Sequence, residues 1–262
     1  MKKLFLIVAL ALSVSVANAW NRRADEGVVL LAEKHLTAEA KAVLNKYLGD
    51  TYFDDVHYLY DVESQNNASH SKSIHYLHLD KNLKPAKVEG SNALVEIESA
   101  MQVVRNHKSQ SKEVVATALR IVINLMCDIH NLSNVRIEGV PHSSLDFKFT
   151  WYKGDVGKRK ATAKISWAKF WDAYSNWHTG FSGSLWAEDL ELSLGSKRAE
   201  FSKGSLNDWA SEIGGVANGL YARINPEYEM TRRERNELED LNCEMMARAG
   251  YRLAVLLNNA AK

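Results

Sequence analysis

Four short patterns in this sequence contain residue types that could bind a metal ion or move a proton. They are Trp20; Asp61 with His75 and Tyr76; Asn124 with Asp128; and Trp171 with Asp172. Asn124 and Asp128 are four residues apart, so on a helix their side chains share one face. Carboxylates and imidazoles ligate divalent metals and act as general acids or bases. Their spacing alone is equally compatible with a solvated helix face and with polar loop groups.

Helices must position most of these side chains, because apolar residues recur at intervals of three and four along much of the chain. Thr37, Ser91 and Ser111 precede such segments and can cap helices through their side-chain oxygens. The pattern predicts helices over 24–34, 38–48, 91–106, 112–132, 166–178, 185–194, 205–221 and 231–259.

The remaining segments predict little regular structure. Residues 50–84 have no long period, whereas alternating residues over 147–152 and 159–165 predict one hairpin around Gly154. The chain of 262 residues is 46% hydrophobic and 25% charged, which excludes a disordered protein. We predict a mainly α fold, with one helical domain over 20–262 and one short β-hairpin.

Charge and cysteine content exclude two further classes of protein. The 33 Lys and Arg nearly balance the 32 Asp and Glu, unlike the composition of a non-specific duplex-DNA binder. The two cysteines, Cys127 and Cys243, are too few for a four-cysteine zinc ribbon. They could form a disulfide in an oxidising compartment, and a buried free thiol at Cys127 is equally compatible with the sequence.

Residues 1–19 resemble a bacterial secretory signal. Two lysines precede an apolar run over 4–16, and Ala17-Asn18-Ala19 supplies the small residues of a cleavage site. The apolar run is too short to span a bilayer comfortably. We therefore expect cleavage after Ala19, a mature chain that begins at Trp20, a periplasmic or secreted protein, and no stable membrane association.

The order of these patterns resembles the single-strand-specific zinc nucleases, which share a superfamily with zinc-dependent phospholipase C. The matching patterns are Trp20 at the cleavage site, Asp61 followed by His75-Tyr76, Asn124-Leu-Met-Cys-Asp128-Ile-His130, and Phe170-Trp171-Asp172. The Asp208-Trp209-Ala210-Ser211-Glu212 segment is similar to that family's DWA-x-E motif, and 249–254 is similar to its closing AG-x-RLA helix. The resemblance covers nearly the whole mature chain.

This resemblance implies a cleft that binds three zinc ions, one of them chelated by the amine and carbonyl of Trp20. It also implies that Asp128 bridges two metals, and that Asp61 and His75 hold the first of the paired metals. Such metals lower the pKa of bound water and stabilise the charge of phosphodiester hydrolysis. Asp61 would orient the attacking water, and Tyr76 would stack on a base.

Four positions depart from the family pattern. The family has histidine where this chain has Asp25, Asn124, Asn134 and Ala168. Asn is a poor zinc ligand and Ala is none, so Asp172 remains as the ligand of the third metal position. The ligand set implied here is therefore Trp20, Asp25, Asp61, His75, Asn124, Asp128, Asn134 and Asp172. Its oxygen-rich character favours Mg²⁺, Mn²⁺ or Ca²⁺ over the family's zinc.

We therefore expect a secreted, metal-dependent phosphodiesterase (an endonuclease) that hydrolyses single-stranded DNA, RNA or nucleotides. The alternative is a catalytically degenerate family member with a binding or structural role, which the four missing histidines favour. Hydrolysis of phospholipid head groups ranks last, because the sequence has no distinctive sign of a lipid-binding surface.

Overall fold

The computed structural model describes residues 20–50, 56–59, 72–88, 92–144, 146–156, 159–174 and 180–262. It confirms the predicted mainly α fold over this part of the chain. The helices are α1 (Arg22–Lys34), α2 (Ala38–Leu48), α3 (Ala93–Arg105), α4 (Lys112–His130), α5 (Trp167–Tyr174), α6 (Gly183–Leu194), α7 (Arg198–Phe201), α8 (Leu206–Arg223) and α9 (Arg232–Ala260). The strands are β1 (Leu77–Leu79), β2 (Val135–Ile137), β3 (Lys148–Val156) and β4 (Arg159–Ser166).

Side-chain caps define most of the helix starts. Thr37 accepts a hydrogen bond from the backbone of α2, and Ser111 accepts one from the backbone of α4, as predicted. The predicted cap at Ser91 is not the cap of α3, which begins after Asn92, whose side chain accepts from Leu94 N. Helices α8 and α9 begin with capping boxes, in which a first-turn carboxylate returns to the cap residue's backbone.

The antiparallel hairpin of β3 and β4 is confirmed, but its turn is not at Gly154. Gly154 lies inside β3 opposite Ala161, beside a bulge, and its φ of 143° is one that side chains rarely adopt. The strands continue beyond it to Val156 and Arg159. The prediction was wrong because a glycine marks a bulge as readily as a turn.

A second strand pair was not predicted. β1 and β2 run parallel, with Leu77 opposite Val135 and Leu79 opposite Ile137. β1 begins two residues after His75, and β2 begins directly after Asn134. The ladder therefore holds the segment that carries His75 beside the residues that follow α4.

The buried apolar side chains form one continuous cluster around α4. Fully buried tryptophans contribute to it from the N-terminus and from helices α5, α6 and α8: Trp20, Trp167, Trp171, Trp186 and Trp209. Cys127 and Cys243 are both free thiols. Among the helices of the described ranges, none is long and apolar enough to cross a bilayer. The predicted signal segment lies outside the described residues.

Close packing of α1 on α6 fixes the helix that carries Asp25. A Cβ at Gly27 would collide with Cβ of Trp186, and a Cβ at Gly183 would lie 2.6 Å from Cβ of Glu26. We expect Gly27→Ala to lower the free energy of unfolding by about 1–3 kcal/mol, because the added methyl overpacks this contact. Urea denaturation measures the change.

Gly219 on α8 provides the matched control. A Cβ there meets no atom of the described residues within 4 Å. Gly219→Ala is expected to stabilise the protein by up to about 1 kcal/mol through helix propensity. If Gly27→Ala were stabilising to the same degree, the close approach of α1 and α6 would be wrong.

Candidate functional site

Three carboxylates from three helices act on one another electrostatically in the interior. Asp25 is on α1, Asp128 on α4 and Asp172 on α5. Asp25 and Asp128 are buried, and Asp172 is mostly so. We call these three residues the acidic cluster.

The charges of the acidic cluster interact strongly. Burial, together with the charges of Asp25, Asp146 and Asp128, raises the pKa of Asp172 from 3.8 to about 8. Burial likewise raises the pKa of Asp25 to about 6, against the opposing effect of His57 and with a further increase from Asp128. Asp172 therefore keeps its proton at neutral pH, and a cation that binds to this carboxyl would displace the proton.

Two histidines pair with the acidic cluster. His75 Nδ1 lies 2.9 Å from Asp128 Oδ2, and His57 Nε2 lies 2.8 Å from Asp25 Oδ2. Burial lowers the pKa of His57, but the hydrogen bond and charge of Asp25 outweigh it, so the net shift is upward. His75 was predicted from the sequence, whereas His57 was not. Its only signal was its place in the stretch rich in His, Asp and Tyr.

Asn124 and Asn134 stand where the zinc nucleases that this sequence resembles have histidine. Both make hydrogen bonds within the protein. Leu59 N donates to Asn124 Oδ1 at 2.7 Å, which ties the segment after His57 to α4. Asn134 Nδ2 donates to the backbone oxygen and to Oδ1 of Asp128, both at 3.3 Å. Two buried oxygens, Oδ1 of Asp25 and Oδ1 of Asn134, accept no hydrogen bond from the described residues.

Trp20, which was predicted as a site residue, and Ala168, which replaces an expected ligand, make hydrogen bonds to residues outside the acidic cluster. The Trp20 ring is fully buried, and its Nε1 donates to Asn242 Oδ1 on α9 at 2.7 Å. Ala168 is in the first turn of α5, where its backbone N donates to Asp146 Oδ1. Asp61, the predicted catalytic residue, lies outside the described residues, and its role stays a prediction.

Two nearby groups are chemically unsuited to metal binding. His130 Nδ1 hydrogen-bonds the Met126 carbonyl at 2.8 Å and its Nε2 faces Arg252 Nη1 at 3.1 Å, so both ring nitrogens are engaged. Burial and the charge of Arg252 keep the His130 pKa well below its ordinary value. Burial, together with Asp25 and Asp128, raises the pKa of Cys127 and keeps its thiol protonated.

A cleft of about 610 Å³ includes Tyr76, the residue after His75. The Arg136 guanidinium lies 3.9 Å from the centre of the Tyr76 ring, and His78 meets the ring edge-on. Lys87 also lines the cleft. Burial and the charge of Arg136 lower the pKa of His78, so that its imidazole is neutral at pH 7. The cleft thus combines cations with an aromatic ring.

No protein-family model matches this sequence, and a search of curated proteins finds no match either. Within the described ranges, no three side chains of the His, Cys, Asp and Glu types stand close enough together to hold an ion. The described residues therefore contain an acidic cluster that is hydrogen-bonded to protein groups. They also contain a cleft lined by Arg136, Lys87, Glu138 and the Tyr76 ring.

Proposed function

We propose that this protein is an exported metal-dependent phosphodiesterase that acts on single-stranded nucleic acid or nucleotides. The observation that supports this proposal best is that the charges of Asp25, Asp128 and Asp172, from three helices, act on one another in the interior. Buried carboxylates are costly unless they are paired or bind a cation. When all three carboxylates are ionised, the two paired histidines can supply at most two positive charges, so a divalent cation would stabilise the ionised cluster.

The donor set suits a hard cation better than zinc. Asp25, Asp128 and Asn134 offer oxygen atoms, and one oxygen each of Asp25 and Asn134 accepts no hydrogen bond from the described residues. Mg²⁺, Mn²⁺ and Ca²⁺ prefer such oxygens. His75, Asp172 and, by resemblance, Trp20, Asp61 and Asn124 complete the proposed ligands. When bound, such a cation lowers the pKa of a coordinated water and offsets charge on the reacting phosphate.

The chain's own residues bind and orient the substrate in this proposal. Arg136 and Lys87 bring positive charge to the cleft, where they would hold phosphate oxygens. Arg136 already covers one face of Tyr76, so a base would stack on the other face. The pKa of Asp25 is about 6 and that of Asp172 is about 8, and cation binding must displace the protons that they still hold, so cation affinity should rise between about pH 6 and pH 8.

Hydrolysis of single-stranded DNA and RNA tests the proposal. The chain should start at Trp20, because an added methionine would place the proposed chelating amine in a peptide bond. Chelator-treated protein would receive Zn²⁺, Mn²⁺, Mg²⁺ or Ca²⁺ separately. We expect cleavage with Mn²⁺ or Mg²⁺ that excess chelator stops. Cleavage by an Asp128→Asn preparation at the unchanged rate would remove Asp128 from the proposed chemistry, and absence of cleavage with all four ions would contradict the proposal.

The second candidate function is a non-catalytic role in binding or structure. Its specific support is the set of hydrogen bonds that closes the cluster: His57 to Asp25, His75 and Asn134 to Asp128, and Leu59 N to Asn124. In this alternative, protein groups have taken over contacts that a metal would make. A folded protein that neither binds divalent cations nor cleaves any substrate would favour it.

A further inference from the structure

Positive charge is concentrated on the hairpin of β3 and β4. Residues 148–169, which span both strands and the start of α5, include seven Lys and Arg but only one acidic residue, Asp155. The whole chain has nearly equal numbers of both signs, so the rest of the chain carries a net negative charge.

The strand register places three of these cations on one face. Lys148, Lys160 and Lys164 project from the outer face of the hairpin, together with the hydroxyls of Thr150, Thr162 and Ser166. The opposite face carries Phe149, Trp151 and Ile165, which are buried in the core. Residues two apart on a strand are about 6.7 Å apart, and Lys160 and Lys164 are separated by twice that interval. Their charges are therefore spaced along an extended line.

One edge of the hairpin, along β4, is not hydrogen-bonded to another described strand. β3 hydrogen-bonds on its other side to the segment before α9, through Thr150 N to Tyr228 O and Met230 N to Thr150 O. Strand β4 is therefore the outer strand, and its lysines border solvent. On the other side of β3, acidic Glu229 pairs with Thr150, and Glu227 lies two residues before it in the chain.

The cations of this face are not neutralised by neighbours. Among the described residues, Lys148, Lys160 and Lys164 make no ion pair, and Lys164 Nζ donates a hydrogen bond to the backbone oxygen of Pro226 at 3.4 Å. Asp155 is opposite Lys160 in the register, but it also lies 3.9 Å from Arg232, a further cation. An extended row of cations and hydroxyls matches a chain of phosphates.

We propose that the outer face of this hairpin binds the sugar–phosphate backbone of single-stranded nucleic acid. The choice of nucleic acid rests on the function proposed above. β4 continues directly into α5, which carries Asp172 of the acidic cluster. Nucleic acid bound to the hairpin would therefore contact an element that is joined directly to that site. Phosphate contacts of this kind give affinity without base preference.

An anionic membrane fits this surface less well. Interfacial segments combine cations with exposed Trp, Phe or Leu side chains. Here the hairpin aromatics Phe149, Trp151 and Tyr152 are buried, and Val156, 72% exposed, is the large apolar residue that the described hairpin exposes.

Fluorescence anisotropy of a labelled oligothymidylate, measured in chelator, tests the inference without any hydrolysis. The variant is Lys160→Gln with Lys164→Gln, and the control is Lys108→Gln with Lys112→Gln, an equal charge change at two exposed lysines elsewhere. At about 50 mM salt we expect at least about tenfold weaker binding for the hairpin variant, and a salt dependence of log K that is shallower by about 1.4.

The control variant should bind like the unchanged protein. Equal affinity in all three proteins would overturn the inference, and would leave the lysines as residues that keep an edge strand from pairing with another chain. Lysine-dependent sedimentation with phosphatidylserine vesicles, without oligothymidylate binding, would also overturn it. Because binding is measured without metal, it can succeed where the hydrolysis assay fails, and a dinucleotide substrate can be cleaved where hairpin binding fails.

Discussion

Asp172→Asn is expected to stabilise the chelator-treated protein, and to do so more strongly as the pH rises. In the folded protein the Asp172 pKa is raised to about 8 from an ordinary 3.8, because the carboxyl is buried beside Asp25, Asp146 and Asp128. The folded state therefore holds this proton more tightly than the unfolded state. The resulting stability is complete below about pH 4 and is lost as the pH rises towards 8.

Asparagine has no proton to lose, so the variant escapes this loss. Each pH unit is worth about 1.4 kcal/mol, so the advantage of Asp172→Asn should grow by roughly 4 kcal/mol between about pH 5 and pH 8. Urea denaturation at several pH values, in chelator, measures it. Residues that serve a function commonly lower stability in this way.

The control is Asp240→Asn, an exposed carboxylate on α9. Its effect should stay within about 0.5 kcal/mol at every pH. If Asp172→Asn showed the same flat profile, the carboxyl would not be under strain from burial and neighbouring charge, and the acidic cluster would lose its main support.

Asp128→Asn is expected to abolish the proposed hydrolysis while the protein remains folded. Asp128 receives contacts from His75 and Asn134, and asparagine keeps an oxygen for His75. Asn134 Oδ1 accepts no hydrogen bond from the described residues, so rotation of that amide can meet the new NH₂ group. Activity should fall at least about a hundredfold, since even indirect partners of metal sites cost 10–100-fold.

Asp128→Ala separates the charge from the contact. It leaves His75 buried without the carboxylate and should lower the free energy of unfolding by about 3–5 kcal/mol. Circular dichroism and urea denaturation would show Asp128→Asn close to the unchanged protein and Asp128→Ala well below it. Full activity in Asp128→Asn would remove Asp128 from the proposed chemistry.

Local signals in the sequence were sufficient for the helices. The apolar stripe of α4 and the capping oxygens of Thr37 and Ser111 act within one or two turns, so a single segment reveals them. The hairpin was found because alternation is also local. Its turn was misplaced because the chain bulges at Gly154 before it reverses.

Contacts between distant segments were not predictable in this way. β1 and β2 are three residues each and pair across more than fifty residues, without a periodic signal in either. The pairing of His57 with Asp25 depends on the packing of α1, which no local pattern specifies. The resemblance implied that Asp25, Asp128 and Asp172 are metal ligands. In the structure their charges act on one another, and their role as ligands stays a prediction.

If the proposed function is correct, the acidic cluster binds a divalent cation. Titration of chelator-treated protein with Mn²⁺, followed by electron paramagnetic resonance of the free ion, tests it most directly. We expect saturable uptake of Mn²⁺ that strengthens between about pH 6 and pH 8 and is lost in Asp128→Asn. No uptake by the unchanged protein, or equal uptake by Asp128→Asn, would contradict it.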